Sequence, residues 1–193
     1  MTGKREYNPP VAAAPANPDV VIFMGSDSDW SVMARAAQVL EEFGVTHEAI
    51  VSSAHRTPNR TVRLAKRFTA RGTRVFIAGA GAAAHLAGAL AAVTPRPVIG
   101  VPLASSPLAG FDSLLSTAQM PSWIPVACTA IGEAGARNAA ILAVQILALS
   151  DRRLEGRLKS YRGALEREVV AKDARLQRER RQGAGASRGK VKP

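Results

Sequence analysis

The stretch Val20-Val21-Ile22-Phe23-Met24-Gly25-Ser26-Asp27-Ser28-Asp29-Trp30 decides the fold. An unbroken apolar run rich in β-branched residues suits a strand covered on both faces, as in a parallel sheet, rather than one that alternates between core and water. Small polar residues then break the run. From Trp30 to Phe43 the apolar positions Val32, Met33, Ala36, Val39, Leu40 and Phe43 recur at helical spacing, and Gly44 supplies the stop. Strand, polar turn and amphipathic helix in this order are the opening of a βαβ unit.

The alternation continues down the chain. Glu48–Val51 reads as a second strand, and Thr57-Pro58 as the N-cap and first-turn proline of a helix reaching Ala70. Val75–Ala78 is a third strand, Ala83–Val93 a helix, Val98–Val101 a fourth strand, Gly110–Ala118 a short helical stretch, Pro125–Ala130 a fifth strand, and Gly135–Leu149 a closing helix. Right-handed crossovers make of this an α/β protein: a three-layer open parallel sheet of flavodoxin-like type, with ligands expected outside the carboxyl ends of the strands. That α/β domain covers residues 19–150. Residues 1–18 read as a flexible N-terminal tail, 151–182 as a basic amphipathic helical extension, and 183–193 as a disordered tail too poor in apolar residues to offset ordering entropy.

Composition removes several classes of function. In 193 residues there is one cysteine, Cys128, set among apolar neighbours. It reads as a buried core residue of a reduced, cytoplasmic protein, which leaves no disulfide framework and no metal site. The N-terminus has no continuous apolar segment of the secretory kind. Val75–Val93 has the length of a membrane span but is mostly Ala and Gly, carries His85, and reads instead as strand, turn and helix. The net charge of +11 invites a nucleic-acid partner, yet residues 1–150 hold 12 Lys/Arg against 9 Asp/Glu while 151–193 hold 14 against 6. The excess belongs to the extension, so nucleic acid is not the expected ligand of the domain. In that extension Leu154, Leu158, Tyr161, Leu165 and Val169 form one apolar stripe expected to dock.

The strand-end rule gathers three loops on one rim: Gly25–Asp29, Ser52–Arg56 and Gly79–His85. The first ends at a helix N-terminus, and with the hydroxyls of Ser26 and Ser28 it suits a phosphate monoester; plain helix capping by Ser28 or Asp29 fits the spacing equally well. Arg56 offers a fork of donors to the same anion. His55 stands beside it, where an imidazole titrates near neutral pH and moves a proton in either direction. His47, at the opposite end of the sheet, reads as an ordinary surface residue. "GAGAAA" after the third strand lacks the acidic residue about twenty positions on that a dinucleotide site needs.

Five ordered motifs carry a resemblance: MGSDSDW (24–30), SAHRTP (53–58), AGAGAAAHL (78–86), DSLLS with QMP (112–121), and AIG (130–132) before an Ala-rich helix. From about Val20 to Leu149 the chain resembles the N5-carboxyaminoimidazole ribonucleotide mutases of purine synthesis, the class I PurE family. The resemblance implies a cofactor-free, homo-octameric enzyme with sites formed between subunits. Its substrate would be a small ribonucleotide whose carboxylate moves from an exocyclic nitrogen to ring carbon C4. By matched position His55 is the proton shuttle, and Ser26, Asp29 and Arg56 are nucleotide-binding. Ser28, Ser53 and Ala54 belong to the same substrate loops, and Gly79, Ala80, Gly81 and His85 would line the pocket around base and carboxylate. The GSDSDW loop resembles that of mutases rather than of direct carboxylases, and Ala80, Ala82, Ala83 and Ala84 would form a dry wall for carbon dioxide. Three positions depart from the pattern: Ala82 and Trp123 stand where relatives carry glycine, and Ala87 where they carry proline. An impaired nucleotide-binding relative, or a carboxylase of another heterocycle, fits those departures too.

Overall fold

A computed structural model of the chain describes residues 17–188. Five parallel strands form one sheet in the order β2-β1-β3-β4-β5. They are β1 (Val20–Met24), β2 (His47–Val51), β3 (Val75–Gly81), β4 (Val98–Leu103) and β5 (Ala127–Cys128). The helices are α1 (Trp30–Glu42), α2 (Pro58–Ala70), α3 (Leu86–Ala91), α4 (Phe111–Ala118), α5 (Glu133–Ala148) and α6 (Arg152–Arg188). This is the three-layer, flavodoxin-like α/β fold expected from the alternating pattern.

The two apolar faces of the central strands explain their unbroken runs. Every residue of β1 is buried. Val21 and Phe23 join Phe76, Ala78 and Val98 in a cluster closed by Leu64, Ala65 and Phe68 of α2 and Leu86, Ala87 and Leu90 of α3. On α1 the buried positions are Met33, Ala36, Ala37 and Leu40, and on α5 they include Ala136, Ala139, Ala140, Ala143, Val144 and Leu147. Such alanine stripes let a helix axis lie close to what it packs on.

Several boundaries differ from expectation, each for a local reason. β3 continues three residues past Ala78, because Gly79, Ala80 and Gly81 still pair with Val101, Pro102 and Leu103. Glycine is disfavoured in strands, so propensity alone stops the strand early. β5 shrinks to Ala127–Cys128, paired with Ile99 and Gly100, where Pro125–Ala130 was expected. Pro125 has no N–H for the ladder, and the Thr129 hydroxyl turns onto the carbonyls of Gly100 and Gly135. α3 starts at Leu86 rather than Ala83, because the chain is still turning: His85 N–H donates to the Ala83 carbonyl at 2.8 Å, and the helical bonding begins with Ala89 N–H on the His85 carbonyl at 2.9 Å. Thr57 occupies the N-cap position of α2 without capping it: its hydroxyl donates to the Ser53 carbonyl and accepts from Ser53 N–H, both at 3.0 Å. Cys128 is half-buried rather than core, and desolvation pushes its thiol up. His47 is half-buried at the far end of the sheet, 3.9 Å from Glu41.

The chain divides into two units that meet between Leu147 and Ala148. In the second, Asp151 caps α6 by accepting from the N–H groups of Arg153 and Leu154 at 2.8 and 3.2 Å. Along the apolar stripe Leu154 is buried and Leu158 and Tyr161 are half-buried, whereas Leu165 and Val169 are exposed. Exposed pairs Glu155–Lys159 and Glu168–Lys172 support the helix along its surface. Helix α6 extends to Arg188, past the expected end at 182. Residues 1–16 of the expected N-terminal tail and 189–193 of the C-terminal one lie outside the described residues. Among the described residues no helix is long and apolar enough to cross a membrane.

Candidate active site

A cavity of about 380 Å³ opens at the carboxyl ends of β1, β2, β3 and β4. Of the residues singled out from sequence, Ser26, Ser28, Asp29, Ser53, Ala54, His55, Arg56, Ala80, Gly81 and His85 line it. Gly79 does not. A Cβ on Gly79 would stand 2.5 Å from Sδ of Met33, so this glycine makes room for a core side chain of α1 rather than for a ligand. Of the proposed alanine wall, Ala80 and Ala83 reach the cavity while Ala84 is buried beneath it. Gly25 and Leu86, which lie inside the MGSDSDW and AGAGAAAHL motifs but are not among the residues singled out, also line the wall, as does Ser105, which no motif announced.

The first loop is tightly self-bonded. Residues Asp27–Asp29 form a 3-10 turn closed by a capping box: Ser26 Oγ accepts from Ser28 N–H at 3.4 Å, and the Asp29 carboxylate accepts from Ser26 N–H at 3.0 Å. The cap is made by Ser26 and Asp29 rather than by Ser28, and both capping residues also line the cavity. Burial is the main influence on Asp29 and raises its pKa, against the lowering effect of the Ser26 and Gly25 amides and of Arg56.

The second loop is fastened to the first. Arg56 Nη2 donates to the Gly25 carbonyl at 2.8 Å, and Arg56 N–H donates to Ser53 Oγ at 3.1 Å. One corner of the guanidinium is thus fixed while its other donors stay available to an anion. Ser52, by contrast, is buried and bonded to Thr61 Oγ1 at 2.8 Å, which makes it an anchor for the turn.

Between these loops and the end of β3 the two histidines meet. His55 Nε2 lies 2.7 Å from His85 Nδ1, with the rings nearly perpendicular at 83°. At that distance one ring donates an N–H to the other, and the tautomers decide which is the donor. Among the described residues no three His, Cys, Asp or Glu side chains group closely enough to bind a metal ion.

Fold and site together define a parallel α/β protein with a polar cavity at its strand ends, lined by two histidines, an arginine and several hydroxyls. Residues 19–168 match the AIR carboxylase family, and the chain belongs to that family. It is 55% identical over 152 residues to the N5-carboxyaminoimidazole ribonucleotide mutase of Brucella melitensis, covering 79% of this chain and 94% of that one. The mutase of the same name from Pyrococcus horikoshii is 52% identical over 83% of this chain and 89% of its own. Among solved structures, Treponema denticola PurE superimposes with a TM-score of 0.75 at 30% identity, over 81% of this chain and 97% of that one.

The three departures can now be placed. Ala82 and Trp123 both adopt left-handed backbone, with φ of 50° and 75°. They keep a glycine-like conformation without being glycine. Ala87 sits in the first turn of α3 with its side chain in the core, and it adds nothing to the cavity wall.

Proposed function

We propose that the chain interconverts N5-carboxyaminoimidazole ribonucleotide and 4-carboxy-5-aminoimidazole ribonucleotide, as the names of its relatives suggest. The observation that carries this reading is the touching His55–His85 pair, held beside an arginine and several hydroxyls in one cavity. Arg56 and Ser53 supply donors for the phosphate, and Asp29, near the same turn, supplies an acceptor for ribose hydroxyls. The base then lies toward the imidazoles.

Protons and electrons balance in a simple sequence. Protonated His55 gives its proton to the exocyclic nitrogen as the N–C bond of the carbamate breaks and carbon dioxide leaves. Ring carbon C4 attacks the carbon dioxide, forming the C–C bond. Neutral His55 then takes the proton from C4, rearomatising the ring and restoring the starting protonation state. No net proton is consumed. His85 can hold the proton in transit and fix the orientation of the His55 ring. Holding carbon dioxide against Ala80 and Ala83 keeps the second step effectively intramolecular.

Assembly into a homo-octamer belongs to the same proposal. Leu108, Phe111 and Leu115, around the start and along one face of α4, are 63%, 65% and 58% exposed, and Trp123 is 95% exposed. The face at α4, with three exposed apolar side chains at helical spacing, suits a subunit contact.

The test is conversion of the N-carboxylated ribonucleotide without added bicarbonate, and then a second run with labelled bicarbonate in the buffer. Little label should enter product in the first turnovers. Label at full solution specific activity from the first turnover would replace internal transfer with direct carboxylation, and no conversion at all would remove the activity.

A further inference from the structure

Ser105 lies two residues beyond the end of β4, and its N–H donates to the Leu103 carbonyl at 3.1 Å, which turns the chain across the rim. The neighbouring serine is fully engaged: Ser106 Oγ accepts from Leu108 N–H at 3.1 Å, and its hydroxyl bonds the Asp112 carboxylate and holds that group's pKa down. Ser105 Oγ makes no hydrogen bond to any described residue, yet it lines the cavity. The other serines of the cavity are occupied. Ser26 Oγ donates to Asp27, Ser28 Oγ donates to Ser26 Oγ, and Ser53 Oγ accepts from Arg56 N–H. Ser105 alone among them is engaged in neither direction.

Its position depends on Gly81. A Cβ built there would stand 1.7 Å from Ser105 Oγ and 2.8 Å from its Cβ. Gly81 is ordinary strand backbone, so the absent side chain, not backbone freedom, is what the site uses. Strand order sets the rest: the loop after β4 lies two strand spacings from the loop after β1, about 10 Å across the sheet. The loops after β1 and β2, proposed to hold the phosphate, are therefore at one end of the cavity and Ser105 at the other, with His85 after β3 between them and His55 reaching it from the β2 loop. Among the described residues Arg56 is the only Lys or Arg lining the cavity, and it belongs to the first end. A carboxylate on the far edge of the base has no cation there to receive it.

Resting on the proposed reaction, the geometry points to Ser105 as the residue that recognises the transferred carboxyl group, its hydroxyl donating to the C4 carboxylate of the product and to an oxygen of carbon dioxide in transit. A neutral donor suits this task. It gives a charge-assisted hydrogen bond to the carboxylate, but does not fix the group as an ion pair that would resist the next transfer.

The experiment compares two ligands, 5-aminoimidazole ribonucleotide and its 4-carboxylated form, on wild type, Ser105→Ala and Gly81→Ala. Ser105→Ala should weaken binding of the carboxylated ligand about tenfold, the scale of one hydrogen bond to a charged group, and change the uncarboxylated ligand less than about twofold. Gly81→Ala, which displaces the hydroxyl, should show the same selectivity. Equal loss for both ligands would mark Ser105 as a structural loop residue, and no loss for either would leave it without a role; both outcomes overturn the assignment while the reaction stands. If wild type binds neither ribonucleotide, the proposed reaction falls and the Ser105 assignment with it.

Discussion

At Trp123 a bulky L-residue occupies left-handed backbone, with φ of 75°, while its side chain is 95% exposed. The two facts separate what the side chain and the backbone contribute. About a twentieth of an indole's area, on the order of 12 Å², is covered, which at ~25 cal/mol per Å² stabilises by only ~0.3 kcal/mol. Left-handed backbone costs an L-residue roughly 1–2 kcal/mol, and glycine escapes that cost while losing roughly 0.4–1 kcal/mol through the entropy of its unfolded chain. Within one subunit, Trp123→Ala should therefore be neutral to slightly destabilising. Trp123→Gly should be more stable than Trp123→Ala by roughly 0.5–1 kcal/mol, the reverse of the order at a site with negative φ. Because both variants lack the indole, any contact it makes with another subunit cancels in the comparison. Urea unfolding at one fixed protein concentration gives the answer as a midpoint shift at unchanged slope. An alanine variant as stable as the glycine variant would refute the argument.

Three further outcomes follow from the site and the surface. His55→Asn keeps a hydrogen-bonding amide beside His85 but removes the titrating proton, so turnover should fall by about 10²–10⁴ with ribonucleotide binding nearly unchanged; steady-state turnover within tenfold of wild type would exclude His55 as the shuttle. Burial raises the pKa of Asp29 above its usual 3.8, so its contribution to stability is present below that pH and lost as pH rises through the raised value. Asp29→Asn should accordingly be the more stable protein at neutral pH, with the difference closing in acid, and a thermal-melt series in which the gap widened in acid would contradict this. Leu115→Glu, placing a charge beside Phe111 on the exposed face of α4, should lower the assembly state in a sizing experiment and leave the helical circular dichroism unchanged.

Elements with one strong period or one strong composition were legible in the sequence. β1 shows itself as an unbroken apolar run, and α1 and α2 match the expected helices to within a residue. Elements decided by a partner strand were not: Gly79–Gly81 belong to β3 only because β4 lies alongside, and β5 is cut short by where Pro125 falls. The site divides in the same way. Loops after β1 to β3 carry dense polar signals and nearly all their chosen residues reach the cavity. Gly79 misled because its neighbours Ala80 and Gly81 do line the wall, and the contact it serves, Met33, is remote in sequence. Ser105 had a single available clue, its place after a strand end on the same rim.

The pairing of Gly79 with Met33 also constrains the order in which this sequence can change. A methyl at position 79 would press on Met33 Sδ at 2.5 Å, and on its Cγ at 2.7 Å, inside a packed layer. Truncating Met33 first opens a void that costs roughly 2–5 kcal/mol on its own. Each single step is thus unfavourable where the two together can restore the filled volume. Positions 33 and 79, forty-six residues apart in sequence, therefore form one unit of inheritance: related chains should vary at both or at neither, and a library that randomises either alone should return the parental residue.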